Sequence, residues 1–253
     1  MYKSEYDLMY RSEEKLWWYS GLRGLLKYYV HQYSVPNPRI LDAGCGTGKN
    51  MEFLINLGFG DVRGIDHSTE AIEYCHKRNL TQAQQGSITT ILFPDSSFDV
   101  VYCMDVLGCL DESDRVVAAA ELFRVLKPGG LFIANSASLK IFRSQHDDVG
   151  NIKIRFKEKE FLKLFEKYDT GLKKLTYRVF LLSPLVLLFK AAKRILRAVN
   201  PGSKSRSDQV IFPLGINWCL ERIQLFENWL LRWISFPFGS SIFMVLIKPD
   251  KGF

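Results

Sequence analysis

The sequence predicts an α/β fold, a doubly wound, parallel sheet covered by helices on both sides. Three observations predict it. Short apolar runs alternate with helical patterns between residues 39 and 136. The stretch Ile40-Leu41-Asp42-Ala43-Gly44-Cys45-Gly46-Thr47-Gly48 leads from a buried strand through three alternating glycines straight into a helical pattern. A carboxylate, Asp66, closes the next strand 20 residues after Gly46.

The chain of 253 residues can bury a substantial core, and 47% hydrophobic with 24% charged residues is ordinary for one large globular unit. We divide it into an N-terminal helical cap (1–35), a core (36–180), a helical insertion (181–236) and a last strand (237–253). Residues 4–33 carry a helical pattern, with Glu5 and Asp7 suited to a first turn. Trp17-Trp18-Tyr19 interrupts it before Leu22, Leu25, Leu26, Tyr29 and Val30 resume helical spacing. Three consecutive aromatics cannot all enter one core, so either one lines a pocket or the segment packs on the domain.

Strands are predicted at Arg39–Ala43, Val62–Asp66, Gln84–Ser87, Phe98–Cys103 and Leu131–Ser136. Between them lie helices from Gly48 to about Asn56, over Thr69–Arg78 with Ser68 as N-cap, and over Glu112–Leu126, stopped by Lys127-Pro128-Gly129-Gly130. Lys157–Tyr168 reads as an amphipathic helix and Leu172–Phe180 as a strand. Leu181–Val199 is an apolar run that becomes basic, and Pro201–Asp208 has loop composition. Asn217–Ile234 is a helix carrying Cys219, Ile223, Phe226, Leu230 and Trp233 at helical spacing, and Ser240–Ile247 is a last strand.

The glycine loop is where chemistry is expected. Gly44, Gly46 and Gly48 allow a sharp turn and close approach of backbone to a ligand, and the following helix presents free N–H groups. The spacing departs by one residue from the dinucleotide fingerprint. A carboxylate at Asp66 can accept ribose hydroxyls. Gly86-Ser87-Ile88 is placed to meet a purine, and Cys103-Met104-Asp105 follows the fourth strand.

Taken together, Ile40–Gly48, Gly64-Ile65-Asp66, Phe98–Leu107 and Val125–Gly130 resemble four ordered motifs of the class I S-adenosylmethionine-dependent methyltransferases, over about residues 35–136. The resemblance implies a Rossmann-like seven-stranded sheet whose last strand is antiparallel. It implies S-adenosylmethionine as cofactor, with Asp42, Gly44, Cys45, Gly46 and Gly48 around its methionine part. It also implies Asp66 on the ribose, His67 beside the adenosine, Ser87 and Ile88 flanking the adenine, and Met104 closing the pocket. Relatives often carry Asp or Asn where Ser87 stands, and Glu-His where Gly108-Cys109 stand. The flanks, with Trp17-Trp18-Tyr19, Arg23 and Pro237–Ser241, are similar to a subgroup of these enzymes. They place Trp17, Trp18, Tyr19 and Arg23 around the acceptor.

Methyl transfer from a sulfonium is an in-line displacement, and a general base is needed only for a protonated acceptor. The candidates are His146, in the polar loop after the fifth strand and next to Asp147, Tyr19 and His31. His76 sits in a helical pattern and reads as solvated.

The acceptor is expected to be a small molecule. Residues 140–210 hold 17 Lys/Arg against 7 Asp/Glu within a net charge of +7, which suits an anionic partner or a solvated face. Residues 185–199 form a basic amphipathic stretch that either lies on an anionic membrane, with a lipid-linked acceptor, or packs its apolar side on Asn217–Ile234. A nucleic-acid acceptor is not expected, because no Asn/Asp-Pro-Pro-aromatic motif follows the fourth strand, and a protein acceptor is a further alternative. A non-catalytic cofactor-binding scaffold is a third reading, opposed by the intact glycine loop. Five cysteines without a metal-type cluster predict reduced thiols, no metal and a cytoplasmic setting, with no transmembrane span.

Overall fold

The structure, a computed structural model, describes residues 3–199 and 212–250. Seven strands make one sheet in the order β3-β2-β1-β4-β5-β7-β6. β1 (Arg39–Ala43), β2 (Asp61–Asp66), β3 (Ala83–Gln85), β4 (Phe98–Met104) and β5 (Leu126–Ala137) are parallel. β7 (Ser241–Ile247) runs antiparallel between β5 and β6 (Gly171–Arg178). The seven-stranded, mostly parallel sheet with an antiparallel last strand is therefore present.

The strands form because their side chains can be buried on both faces. Leu41, Val101 and Cys103 join Phe132 and the inward side of α5 (Glu112–Val125) in one core. Ile40, Val100 and Tyr102 join Leu22, Leu25 and Leu26 of α2 (Trp17–Tyr33) and Met51 and Leu54 of α3 (Lys49–Asn56) in the other. α4 (Thr69–Lys77) begins where Ser68 Oγ accepts the Ala71 N–H at 3.3 Å. α1 (Lys3–Ser12) lies on α4, with Tyr10 and Tyr74 rings 4.9 Å apart.

Several local readings change. Lys127-Pro128-Gly129-Gly130 ends α5 at Val125, but β5 starts at once at Leu126 and absorbs those residues as a register shift against β4. Gly129, at φ +70°, donates its N–H to Lys248 O. The segment over residues 157–168 is not one helix: α7 (Glu158–Lys163) gives way to a 3₁₀ turn, Glu166–Tyr168. Tyr168 there stacks on Phe123 at 4.6 Å. A short α6 (Gln145–Val149) follows β5, started by a capping box between Ser144 and Asp147.

α8 (Ser183–Val199) and α9 (Leu214–Leu230) lie between β6 and β7. The loop predicted over Pro201–Asp208 falls outside the described residues. Of the Cys219, Ile223, Phe226, Leu230, Trp233 series only Leu230 packs against the core, and the other four are exposed. The buried side of α9 is Leu220, Gln224, Glu227 and Asn228. The reason is the surface it meets. α9 packs on α2 where Gly21 is so close that a Cβ there would lie 2.3 Å from Gln224 Cγ. Asn228 Nδ2 donates to Gly21 O at 2.7 Å. Glu227 accepts the N–H groups of Val179 and Leu181 at 2.6 and 2.9 Å, two donors freed where β6 ends. α8 does likewise: Lys190 Nζ donates to Phe142 O and Ser144 Oγ, while Leu185 and Leu188 face outward. Val186 of α8 packs in one cluster with Leu220 of α9, so the expected contact between the two helices is made there and not through Leu185 and Leu188.

Candidate functional site

β1 has β2 on one side and β4 on the other, and the chain winds away from it in both directions. A crevice opens at the carboxyl ends of such strands. The glycine loop fills its floor. Gly44, Gly46 and Gly48 have φ +89°, +54° and +83°, a region where side chains carry strain. Asp66 reaches back over the loop, Oδ2 accepting the Gly46 N–H at 2.9 Å and Oδ1 the Ser68 N–H at 3.0 Å. Asp42 lies beneath, fully buried. Its Oδ2 accepts from Tyr102 Oη at 2.9 Å, whereas its Oδ1 has no hydrogen-bond partner. Burial pushes this carboxyl well above the usual range, against the Tyr102 hydrogen bond.

The N-terminal segment closes on this loop. Thr47 Oγ1 donates to the buried Glu13 carboxylate, and Arg78 donates to Glu13 at 2.8 Å and to Thr47 O at 3.0 Å. The Arg78 guanidinium also sits 4.2 Å from the Tyr10 ring centre. Burial raises Glu13 to about 7, opposed by Thr47 and Arg78. Met9 Cε lies where a Cβ on Gly46 would come within 2.6 Å. Tyr6 is buried next to Asp66 and Ser68, and burial pushes its phenol up to about 12.

Of the other residues assigned to the cofactor, His67 is exposed with Nδ1 3.4 Å from Asp66 Oδ1, which raises its pKa. Ser87 Oγ is engaged with Thr89, 2.7 Å from its hydroxyl and 3.1 Å from its N–H. Ile88 packs into the core beside Ile65, and Met104 is buried at the end of β4. Cys45 Sγ lies 3.9 Å from Cys75 Sγ, both thiols free.

The edge beyond β4 and β5 holds a buried polar chain. Asn135 Nδ2 donates to both Asp105 oxygens, and Arg178 Nη1 donates to Asn135 Oδ1 at 3.1 Å. Burial raises Asp105 to about 6 and lowers Arg178 to about 10; each partly counters the shift of the other. Trp18 stands over this chain, its ring centre 5.8 Å from the Arg178 guanidinium, and Tyr19 packs edge-on against Trp18 at 5.0 Å. Trp17 instead turns into an apolar cluster with Val179, Leu182 and Leu220. Arg23 is buried near Glu13, its guanidinium over the Phe53 ring.

The three candidate bases are not brought together. His146 lies in α6, on the segment that follows β5, and its neighbour Asp147 is bound by Arg155 through both oxygens. Tyr19 is at the start of α2. His31 is near the other end of that helix, with its ring 5.2 Å from Phe59, and lines a separate cleft with Lys27, Gln32 and Arg232. Phe59 precedes β2, so His31 sits at the opposite edge of the sheet. Sequence reading missed Glu13, Arg78, Asn135, Arg178 and Glu227. Only their burial among polar partners marks them, and no periodic pattern carries that.

Residues 41–134 match the family model described as "Methyltransferase domain". A sterol 24-C-methyltransferase of Aspergillus fumigatus is 31% identical over 113 residues, 42% of this chain and 29% of that protein. An eEF1A lysine and N-terminal methyltransferase of Bos taurus is 31% identical over 119 residues, 42% of this chain and 17% of that protein. The chain thus spans less than a third of the length of these curated relatives. Among solved structures, a complex of the Haloferax volcanii Trm112 methyltransferase activator with a putative methyltransferase aligns at TM-score 0.61 and 18% identity, over 99% of this chain and 96% of that one. This likeness shows the fold.

Proposed function

We propose that this chain, whose residues 41–134 match a methyltransferase domain, is a class I S-adenosylmethionine-dependent methyltransferase that transfers the methyl group to a small molecule held under Trp18 and Tyr19. The carrying observation is the Asp42 Oδ1 atom, a buried acceptor with no donor beside the glycine cradle. It fits the ammonium of the cofactor, with Gly44, Cys45, Gly46 and Gly48 around the methionine part. Asp66, closing β2, fits the ribose hydroxyls, with His67, Ser87, Ile88 and Met104 bordering the adenosine.

When bound, the sulfonium supplies an electrophilic methyl group. The chain supplies position. Holding a nucleophile in line with that carbon is worth ~7–11 kcal/mol. Trp18 and Tyr19 cover the acceptor, and the Asp105–Asn135–Arg178 chain fixes the wall behind it. An acceptor that carries a proton gives it to a group on this edge; Asp105, Tyr19 and His146 are the candidates, and His31 is remote from it.

A second reading, an acceptor that is lipid-linked or membrane-associated, is favoured by the outward apolar sides of α8 and α9. Relatives act on a sterol and on a protein by name, so the acceptor is read from this chain's own surface. Calorimetry with S-adenosylmethionine and S-adenosylhomocysteine tests the cofactor, and neither ligand binding, or binding unchanged in Asp66→Ala, overturns methyl transfer. Incubating a host extract with labelled cofactor then tests the acceptor. Label in small water-soluble products supports the first reading, label in the organic phase the second, and label in precipitated protein or RNA overturns both.

A further inference from the structure

α9 is inverted relative to an ordinary surface helix, its polar side facing the domain and most of its apolar side facing outward. α8 shares part of this arrangement: Leu185 and Leu188 face outward while Val186 packs inward beside Leu182. On α9 and the turn after it, Trp218, Phe226 and Trp229 are about half exposed and Trp233 is 77% exposed, while Gln224, Glu227 and Asn228 are buried. On α8, Leu188 is 68% exposed while Lys190 reaches back to Phe142 and Ser144. Apolar surface of this extent on a folded chain marks a docking surface. Tryptophan is the residue best suited to a boundary between water and hydrocarbon.

Charge selects the occupant. Residues 181–236 hold eight Lys/Arg against three Asp/Glu, and one of the three acids, Glu227, is buried against backbone N–H groups. On α8, Lys193 Nζ lies over the Phe189 ring, 4.8 Å from its centre, while Lys190 is turned toward the domain. Arg222 lies over the Trp218 ring at 5.2 Å, and Arg232 over Tyr28 at 4.5 Å, beside the apolar face. A second copy placed on this face would meet the same positive charge, which opposes association. Anionic lipid headgroups meet it with the opposite sign, and acyl chains take the apolar side chains. Among the described residues no helix is long and apolar enough to cross a membrane.

We propose that the outward sides of α8 and α9 dock this protein on an anionic lipid bilayer, lying in the interface without crossing it. The surface joins the acceptor edge through the Trp17, Val179, Leu182 and Leu220 cluster, so docking brings the Trp18 end of α2 near the headgroups. It holds whichever acceptor is methylated, and its test needs no turnover.

The full chain is sedimented with phosphatidylcholine vesicles with and without phosphatidylglycerol. The expected result is at least about tenfold stronger partition onto the anionic vesicles, lost on adding salt. Phe226→Ser/Trp229→Ser/Trp233→Ser should reduce it to the level of the neutral vesicles while leaving S-adenosylhomocysteine affinity unchanged. Bromination of the acyl chains should quench tryptophan emission of the wild-type protein, a readout independent of how any variant folds. No preference for anionic vesicles, full binding by the triple variant, or no quenching overturns the proposal. A dimer that the triple variant disperses, without vesicle binding, assigns the face to a second copy and overturns it as well.

Discussion

Asn135 clamps Asp105, its Nδ2 donating to both carboxylate oxygens at 2.9 and 3.1 Å. Its Oδ1 accepts from Arg178, so one amide links the half-buried Asp105 to the fully buried Arg178. Asn135→Leu keeps the volume and removes both links. We expect a loss of ~2–4 kcal/mol in urea unfolding, the cost of leaving these charges without hydrogen bonds. Adding Asp105→Asn should recover part of that loss, because the uncompensated charge is then gone. A double variant no more stable than Asn135→Leu alone would place the cost in packing instead.

Glu13 makes stability depend on pH in a direction opposite to most carboxylates. Its pKa rises to about 7 through burial, against roughly 4.3 when unfolded. The folded state therefore holds the proton longer, so this group's contribution is most favourable below the unfolded pKa and is lost as pH rises toward 7. Glu13→Gln keeps a carbonyl acceptor for Thr47 and carries no such charge. Relative to Glu13→Gln, the wild type should lose up to about 3 kcal/mol between pH 5 and pH 8. Denaturation midpoints of the pair across that range check it, and parallel curves reject the assignment.

What could be read in the sequence follows from periodicity and from glycine. The strands β1, β2 and β4, the loop over Gly44–Gly48 and Asp66 are local patterns, and they stand where they were expected. The inward side of α9 was not legible, because its apolar spacing points to a core and only the α2 glycines and the freed Val179 and Leu181 N–H groups reverse it. Likewise Glu13 and Thr47 are 34 residues apart, and Asn135 and Arg178 are 43 apart. A contact at that separation exists only after the sheet is assembled. Residue type put His31 among the candidate bases beside His146 and Tyr19, and topology moves it to the far edge.

Met9 and Gly46 share one small space. A methyl on Gly46 would meet Met9 Cε at 2.6 Å and would also sit at φ +54°. Backbone strain costs ~1–2 kcal/mol and no neighbour can relieve it, whereas the contact disappears in Met9→Ala. Gly46→Ala should therefore destabilise by more than that strain in the wild-type background and by the strain alone in the Met9→Ala background. Equal costs in the two backgrounds, measured by thermal unfolding, would show that α1 does not press on the loop.

Asp42 predicts a proton released on cofactor binding. Burial holds its carboxyl well above the usual range, with Oδ1 lacking a donor. An ammonium placed there favours the carboxylate, so the pKa falls on binding and affinity rises with pH up to the pKa of the free protein. S-adenosylhomocysteine carries the same ammonium as the cofactor without the transferable methyl group. Its binding enthalpy should differ between phosphate and Tris in proportion to the protons taken up by buffer. Asp42→Asn should abolish that difference and weaken binding by about tenfold, the value of one charge-assisted hydrogen bond. Identical enthalpies in both buffers for the wild type would move the ammonium away from Asp42, leaving Asp66 as the acid that holds the ligand.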